Sequence, residues 1–224
     1  NESNDYSLLA IQGPQSIDLL QQLTNTRLND IKYYNFLIGK IGSVEDIIIS
    51  RTGYTGELGF ELYIKNKYMK EIWDTLFNTN IELKPIGLAA RDTLRLEQGF
   101  CLYGNDIDDT TCPIEAGLGW ITKFSKKFIN SENLRKKHES GNLQKRLVGI
   151  ILQERGIARK DYSIYNSNQE KIGIITSGTM SPTLKQAIAM GYILSEESHI
   201  DNIVYVNIRD KYIKAKISKF PFID

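Results

Sequence analysis

The sequence contains little cysteine, little net charge and no long hydrophobic run. Two cysteines in 224 residues indicate buried, reduced thiols rather than a disulfide-stabilised scaffold. The formal net charge of +1 gives no overall attraction for nucleic acid or for an anionic membrane. Apolar runs such as residues 47–49 are far shorter than the ~20 residues that cross a bilayer. These absences predict a soluble protein of a reducing compartment.

Histidine is equally scarce, which limits the metal and catalytic sites that the chain can form. His138 and His199 lie far apart in the sequence, so neither a zinc site nor a Ser-His-Asp arrangement is indicated. Asp106, Asp108 and Asp109 form an acidic loop, but this loop lacks the glycine and the glutamate that a calcium loop requires. We therefore expect no metal site, and a hydrogen-bonded turn at the acidic loop.

What the sequence does contain is a change of secondary-structure pattern along the chain. Residues 1–84 alternate short strands and helices, which predicts an α+β half-domain with an antiparallel sheet. Residues 85–142 form a helical and loop segment, with a helix over 87–98 that stops at Gly99. Residues 143–224 hold six short strands at fairly regular spacing, which predicts a small all-β barrel or sandwich domain.

A glycine-rich stretch precedes the last strand of the first part. Gly53, Gly56 and Gly59 are spaced three apart, which matches neither the dinucleotide fingerprint nor a phosphate-binding loop. One interpretation is a bulged entry into the strand. The other is that the glycines let the backbone approach a flat ligand, with Tyr54 supplying an aromatic face. The spacing alone does not decide between them.

Glu61 follows in that strand, on the face opposite to Phe60 and Leu62. A lone glutamate on such a face is usually just solvated. If the face lines a cleft, the carboxylate could instead accept paired N–H groups from a pterin-like heterocycle. Both possibilities stay open at the level of spacing.

The helix predicted over 87–98 places Arg91 and Arg95 on one face, because they are four residues apart. Asp92 precedes Arg95 by three residues, so a surface ion pair worth ~0.3–0.5 kcal/mol is the simpler account. In the alternative account, one arginine binds a carboxylate of the substrate or of the site, because the planar guanidinium can form paired hydrogen bonds with it.

The strongest charge asymmetry lies in residues 123–146, which hold eight lysines and arginines against Glu132 and Glu139. A solvated helical face is the simplest interpretation. The alternatives are the docking of an acidic protein partner or of RNA phosphates.

Four stretches of the sequence resemble signatures of the aminomethyltransferase family and occur in the family's order over nearly the whole chain. They are Leu8–Pro14 (LLAIQGP), Arg51–Glu61 (RTGYTGELGFE), Gly87–Asp108 (from GLAARDTLRLE to LYGNDID) and Thr176–Pro182 (TSGTMSP), which is followed by Ala189–Tyr192 (AMGY). The resemblance implies that residues 1–84 are a ferredoxin-like half-domain and part of the folate-binding domain. It also implies that residues 85–142 belong to the central domain and that residues 143–224 are the family's C-terminal barrel.

The same resemblance implies a function. Members of the family release ammonia from an aminomethyl group on the lipoyl arm of the glycine cleavage carrier (H) protein and pass the methylene to tetrahydrofolate. Tetrahydrofolate and the lipoylated carrier are therefore the expected cosubstrate and partner, with no metal, membrane or nucleic acid. The expected location is the cytoplasm of a bacterium or the mitochondrial matrix of a eukaryote.

Three residues correspond by position to the folate site of the family. Glu61 resembles its pterin-holding carboxylate, Tyr54 the neighbouring aromatic residue, and Arg91 a site arginine. Folate-dependent demethylases and the domains fused to dimethylglycine or sarcosine dehydrogenases share the fold, so a folate-binding relative is one alternative. A module that binds RNA or protein through residues 123–146 is another.

The family also places an N-terminal region, with an aspartate credited with assisting the reaction, before the part that resembles Leu8–Pro14. Asp18, Asp30 and Asp46 follow that match, so none of them substitutes by position. We therefore assign no catalytic residue to this chain and expect it to be incomplete for catalysis. Turnover with the lipoylated aminomethyl carrier and tetrahydrofolate tests this expectation, which full activity of residues 1–224 alone would contradict.

Overall fold

The architecture was obtained as a computed structural model, which describes residues 1–223. The chain forms two compact units, one comprising Asn1–Arg91 and the other beginning at Asp92. The division predicted from sequence, at residues 84 and 142, stays a prediction.

The first unit contains a four-stranded antiparallel sheet and two helices. The sheet has the order β1-β4-β3-β2, with Leu9 opposite Leu62 and Ile49 opposite Leu62 on the two sides of the central strand β4. The elements in chain order are β1 (Tyr6–Gln12), α1 (Ser16–Gln21), β2 (Phe36–Ile41), β3 (Val44–Ser50), β4 (Gly59–Lys65) and α2 (Met69–Phe77). This arrangement confirms the predicted α+β class and antiparallel sheet.

The two faces of this sheet have different environments because apolar residues recur at every second position of the strands. One face packs on the core and includes the fully buried Ile49, Phe60 and Leu62, which cluster with Leu20 of α1 and Ile72 of α2. We call the opposite face, which carries Leu8, Phe36, Ile38, Glu61 and Tyr63, the open face. The side chains of Leu8, Phe36 and Ile38 are 46%, 64% and 65% exposed there. Glu61 thus lies on the face that the strand period predicts.

Helix α3 (Leu88–Glu97) contains the point at which the chain divides, and it ends as predicted at Gly99. Gly99 has a φ of +72°, and its N–H bonds to the carbonyl of Leu96 while the N–H of Phe100 bonds to the carbonyl of Arg95. These two bonds form a Schellman motif, which favours glycine because the capping residue is left-handed.

The second unit contains a closed six-stranded barrel, which decides between the two predicted all-β forms. Its strands follow the order β10-β5-β8-β7-β6-β9 with antiparallel pairing throughout. They are β5 (Lys145–Leu152), β6 (Ser163–Tyr165), β7 (Lys171–Ser181), β8 (Gln186–Leu194), β9 (Ile203–Ile208) and β10 (Lys211–Ser218), and they are preceded by α4 (Ser131–Ser140). Aliphatic side chains such as Ile150, Ile164 and Val206 are fully buried inside the barrel.

A buried ion pair connects the end of α3 to the barrel strands, and it corrects the expectation of a surface ion pair at Arg95. Arg95 does pair with Asp92, at 2.7 Å, but its side chain is only 1% exposed. The guanidinium also donates to Asp106 at 2.6 Å and to the hydroxyl of Ser177 at 2.8 Å. Burial lowers the pKa of Arg95, but the negative charges of Asp106 and Asp92 outweigh it and raise the pKa above the ordinary value.

The acidic loop itself separates into two environments. Asp106 is fully buried and accepts hydrogen bonds from Arg95 and from the backbone N–H of Leu102 at 2.8 Å. Asp108 lies at the surface, where it accepts from the backbone N–H of Thr110 at 2.9 Å and from the hydroxyl of Thr111 at 2.9 Å. A hydrogen bond from the Thr110 hydroxyl at 2.7 Å, together with these two bonds, lowers the pKa of Asp108. The predicted hydrogen-bonded turn is confirmed at Asp108, whereas the buried role of Asp106 was not predicted.

Cys101 and Cys112 are both reduced, as predicted, but both are only partly buried, which corrects the prediction of buried thiols. Burial, together with the negative charge of Asp106, raises the pKa of Cys101 to about 11. No helix within residues 1–223 is both long and apolar enough to cross a membrane.

Candidate functional site

The glycine-rich stretch between β3 and β4 wraps around the side chain of Gln12 at the end of β1. The Gln12 amide donates to the carbonyl oxygens of Thr52 and Phe60, at 3.2 and 3.3 Å. A Cβ atom added at Gly53 would lie 2.0 Å from the Gln12 carbonyl oxygen, and one added at Gly59 would lie 2.5 Å from the same amide group. A side chain at Gly53 or Gly59 would therefore displace the Gln12 amide from its present position.

Gly56 has a different role, because its φ of +79° is a backbone conformation that favours glycine. The three equally spaced glycines thus have two different structural roles: Gly53 and Gly59 pack closely on Gln12, and Gly56 adopts a positive φ. Neither interpretation offered by the spacing identifies the Gln12 side chain as the group that fills the space beside Gly53 and Gly59.

Glu61 lies at the centre of the open face, opposite Ala10 of β1 and Ser50 of β3. Its carboxylate accepts a hydrogen bond from the Thr52 hydroxyl at 2.5 Å, the one hydrogen bond found at this carboxylate within residues 1–223. No ion pair with Glu61 occurs in that part of the chain either. The second carboxylate oxygen is therefore available to accept hydrogen bonds from a ligand.

The charge of Glu61 also affects the phenols around it. Burial raises the pKa of Tyr63, and the nearby Glu61 carboxylate raises it further. Burial raises the pKa of Tyr33 as well, with contributions from its neighbour Tyr34 and from Glu61. The Tyr33 and Tyr34 rings lie 4.2 Å apart by their centroids. The phenols of Tyr33 and Tyr63 thus lie near the Glu61 carboxylate, which has no ion-pair partner within residues 1–223.

Tyr54 and Arg91, the other two residues predicted for the site, are brought together by the fold. The guanidinium carbon of Arg91 lies 4.8 Å from the centroid of the Tyr54 ring, which is a cation–π contact. Arg91 is exposed, and it forms no ion pair within residues 1–223. The pair combines a flat aromatic surface with N–H groups that can reach an anion.

Arg91 also borders a mainly apolar groove of ≈ 280 Å³ within the first unit. Trp73 and Phe77, whose ring centroids are 4.8 Å apart, form one part of its wall. Ala10 belongs to the lining, and its cross-strand neighbour is Glu61. The groove therefore begins one strand away from the carboxylate and extends to the guanidinium of Arg91.

Several residues of this region could not be found from sequence. Gln12 and Thr52 lie inside stretches with family resemblance, but only the pairing of β1 with β4 shows that they contact one another. Trp73 is 40% exposed and lines the groove, and no sequence pattern marked it as a residue of the site. No group of three or more His, Cys, Asp or Glu side chains able to hold a metal ion is found among residues 1–223.

The basic segment 123–146 is partly occupied by interactions of its own. Arg135 lies 5.7 Å from the ring centroid of Phe124 and donates to the Phe124 carbonyl oxygen at 2.6 Å. Lys137 pairs with Glu115 at 2.7 Å. These contacts account for two of the basic side chains, and the geometry gives no separate support for RNA binding by this segment.

Comparison with known proteins identifies two family models and a similar solved structure. Residues 1–126 match the family described as "GCVT N-terminal domain", and residues 145–224 match the "Glycine cleavage T-protein C-terminal barrel domain". The crystal structure of glycine cleavage system aminomethyltransferase T from Bartonella henselae is similar with a TM-score of 0.89 and 30% sequence identity. The similarity covers 97% of this chain and 60% of that chain.

Curated relatives agree as well. An aminomethyltransferase of Flavobacterium psychrophilum is 50% identical over 224 residues, and one of Porphyromonas gingivalis is 49% identical over 226 residues. Each comparison covers 99% of this chain and 62% of the relative. The chain thus spans less than two thirds of the length of these relatives.

Proposed function

The chain belongs to the glycine cleavage T-protein family, the aminomethyltransferases, and on that premise we propose that it carries the tetrahydrofolate-binding residues of such an enzyme. The observation that supports this most directly is the carboxylate of Glu61, which has a free acceptor position on the open face and lies beside an apolar groove bordered by Arg91. A folate has matching chemistry, since it joins a flat heterocycle to an anionic tail.

Glu61 would hold the pterin ring. The ring presents adjacent N–H groups, which a carboxylate can accept as a pair of charge-assisted hydrogen bonds. Thr52 keeps one carboxylate oxygen in place at 2.5 Å and so reduces the ordering that a ligand must impose. Hydrogen bonds to a charged group contribute roughly 1.5–3 kcal/mol each, so Glu61 is expected to dominate recognition of the ring.

Tyr54 and Arg91 would hold the remainder of the ligand. The Tyr54 ring offers a flat surface, and the Arg91 guanidinium stacked on it has N–H groups free to meet a carboxylate of the glutamate tail. The groove beside them, with Trp73 and Phe77 in its wall, suits an aromatic linker between ring and tail.

The reaction follows from the family. A methylene group passes from the aminomethyl-lipoyl arm of the carrier (H) protein to tetrahydrofolate, and ammonia is released. In this proposal Glu61, Tyr54 and Arg91 bind and orient tetrahydrofolate, and the lipoylated carrier is the protein partner. The similar aminomethyltransferases of Flavobacterium and Porphyromonas are bacterial, which supports a location in the cytoplasm.

A calorimetric titration with tetrahydrofolate tests the role of Glu61. We expect Glu61→Gln to weaken binding by about tenfold or more, because the loss of a charged acceptor removes at least ~1.4 kcal/mol. Glu57→Gln is the matched control, since Glu57 lies four residues earlier with an exposed side chain. Equal affinities for the wild type and Glu61→Gln would contradict the proposal, as would a loss of the same size in Glu57→Gln.

A further inference from the structure

Gln12 is the residue around which the candidate site is built, although it belongs to β1 and Glu61 belongs to β4. Its side chain contacts both ends of the stretch between β3 and β4. The amide N–H groups bond to the carbonyl oxygens of Thr52, just before the glycines, and of Phe60, just after them. The Gln12 side chain thereby connects the two ends of the glycine-rich stretch.

The carbonyl oxygen of the same side chain contacts the interior of the loop. It accepts a hydrogen bond from the hydroxyl of Thr55 at 3.3 Å, and that hydroxyl accepts in turn from the backbone N–H of Glu57 at 3.2 Å. Thr55 is buried, with 6% of its surface exposed. Tyr54 lies between Gly53, which packs directly on the Gln12 amide, and Thr55, which bonds to it.

The contacts of Gln12 continue to Glu61 through one intermediate residue. Gln12 holds the backbone of Thr52, and the Thr52 hydroxyl holds the carboxylate of Glu61. The exchange of a single side chain is therefore expected to change the positions of two groups that contact the ligand, Tyr54 and Glu61.

We propose that Gln12 is a positioning residue for ligand binding: it orients Glu61 through Thr52 and holds Tyr54 through Gly53 and Thr55. The packing supports this assignment. Any side chain at Gly53 or Gly59 would need the volume that Gln12 fills, so the two glycines and the glutamine form one unit. This inference rests on the proposed folate site for its functional consequence, but the contacts themselves are independent of any ligand.

The first experiment measures hydrogen exchange of the backbone amides of residues 53–58 without ligand. Gln12→Met keeps the length of the side chain and removes its hydrogen bonds, and we expect these amides to exchange at least about tenfold faster than in the wild type. Gln15→Met is the matched control, because Gln15 is exposed three residues later and forms no side-chain hydrogen bond within residues 1–223. Unchanged exchange in Gln12→Met would overturn the inference whether or not folate binds.

The second experiment separates positioning from general stability by a double-mutant cycle with tetrahydrofolate. We expect Gln12→Met to raise Kd about tenfold in the wild type and by less than about threefold in a Glu61→Gln/Tyr54→Leu background, since the groups it positions are then absent. A merely structural role would give the same fold-change in both backgrounds, and that result would overturn the proposal. If Glu61→Gln itself leaves Kd unchanged, the proposed function fails at Glu61 and the exchange experiment still decides the role of Gln12.

Two further variants apply if Gln12→Met does not fold. Thr52→Val removes the hydroxyl that holds Glu61 while keeping the shape of the side chain, and we expect a similar rise in Kd. Gly59→Ala places a methyl group 2.5 Å from the Gln12 amide, and Gln12→Ala provides the space for it. The double variant Gln12→Ala/Gly59→Ala should therefore melt at a higher temperature than Gly59→Ala alone, and a lower melting temperature would contradict the packing on which the inference depends.

Discussion

At the scale of single residues, the two arginines of α3 have different environments although they are only one helical turn apart. Arg91 is exposed and stacks on Tyr54, whereas Arg95, one turn later, is buried against Asp106 and Ser177. A buried guanidinium with charged and hydroxyl partners is costly to disrupt, because the remaining carboxylate is left unpaired.

We predict that Arg95→Met destabilises the second unit by about 3–5 kcal/mol, because Asp106 would then be a buried charge without a cation. Arg91→Met should cost less than about 1 kcal/mol, the size of an exposed cation–π contact. Urea unfolding followed by circular dichroism measures both values. Similar costs for the two substitutions would show that the buried pair does not have this role.

The Cys101 thiol gives a pH-dependent prediction. Its pKa is raised to about 11, so the reactive thiolate is scarce at neutral pH, and its alkylation by iodoacetamide should accelerate about tenfold per pH unit between pH 8 and 10. Peptide mass spectrometry of a Cys112→Ser variant measures the rate at this one site. A rate that levels off below pH 9 would contradict the assignment.

The same shift has a consequence for stability. The unfolded thiol loses its proton near its ordinary pKa of 9.0, whereas the folded thiol keeps it until about 11. The contribution of Cys101 to the free energy of unfolding is therefore fully present below pH 9 and declines as the pH rises towards 11.

At the scale of elements, the sheet of the first unit has one face that supplies stability and one that carries the candidate site. The buried face provides the core with Leu62 and its neighbours, and the open face keeps Glu61 accessible. Burial of apolar side chains contributes about 25 cal/mol for each Å² removed from water, so the two faces are expected to respond differently to truncation.

Leu62→Ala and Leu8→Ala make this comparison within adjacent strands. We predict that Leu62→Ala, at a side chain with 0% exposure, lowers the free energy of unfolding by about 2–5 kcal/mol. Leu8→Ala, at 46% exposure, should lower it by less than about 1 kcal/mol. Denaturant titrations of the two variants provide the values, and an equal loss would mean that the open face is covered in solution.

Local periodicity explains why the elements could be predicted from sequence. The alternation in β4 places Glu61 opposite Phe60 and Leu62, and Gly99 marks the end of α3. Strand order could not be predicted, because the same alternating pattern is compatible with a barrel and with a sandwich. The closed order of the six strands depends on pairings between distant segments, such as β10 with β5.

The site was predicted only in part for the same reason. Short stretches with family resemblance contain Glu61, Tyr54 and Arg91. The contacts that hold the candidate site together, however, join residues that are far apart in sequence. Gln12 is 40 residues from Thr52 in sequence, and Arg95 is 82 residues from Ser177. Helical and strand periods describe only neighbours a few residues apart. Neither the hydrogen bonds of Gln12 to the glycine-rich stretch nor the burial of Arg95 could therefore be derived from spacing.

At the scale of the whole molecule, two family models match the chain, over residues 1–126 and 145–224, and the chain spans 62% of the length of the relatives compared. We propose a division of roles within the first unit, in which Glu61 would bind the pterin ring and Arg91, beside the ring of Tyr54, would bind the anionic tail.

The most direct test compares the affinities of the wild type, Glu61→Gln and Arg91→Met for tetrahydrofolate and for tetrahydropterin, which lacks the tail. We expect Glu61→Gln to weaken both ligands by about tenfold or more, since both contain the ring. We expect Arg91→Met to weaken tetrahydrofolate alone. Unchanged tetrahydropterin affinity in Glu61→Gln, or an equal loss for both ligands in Arg91→Met, would contradict this division of roles.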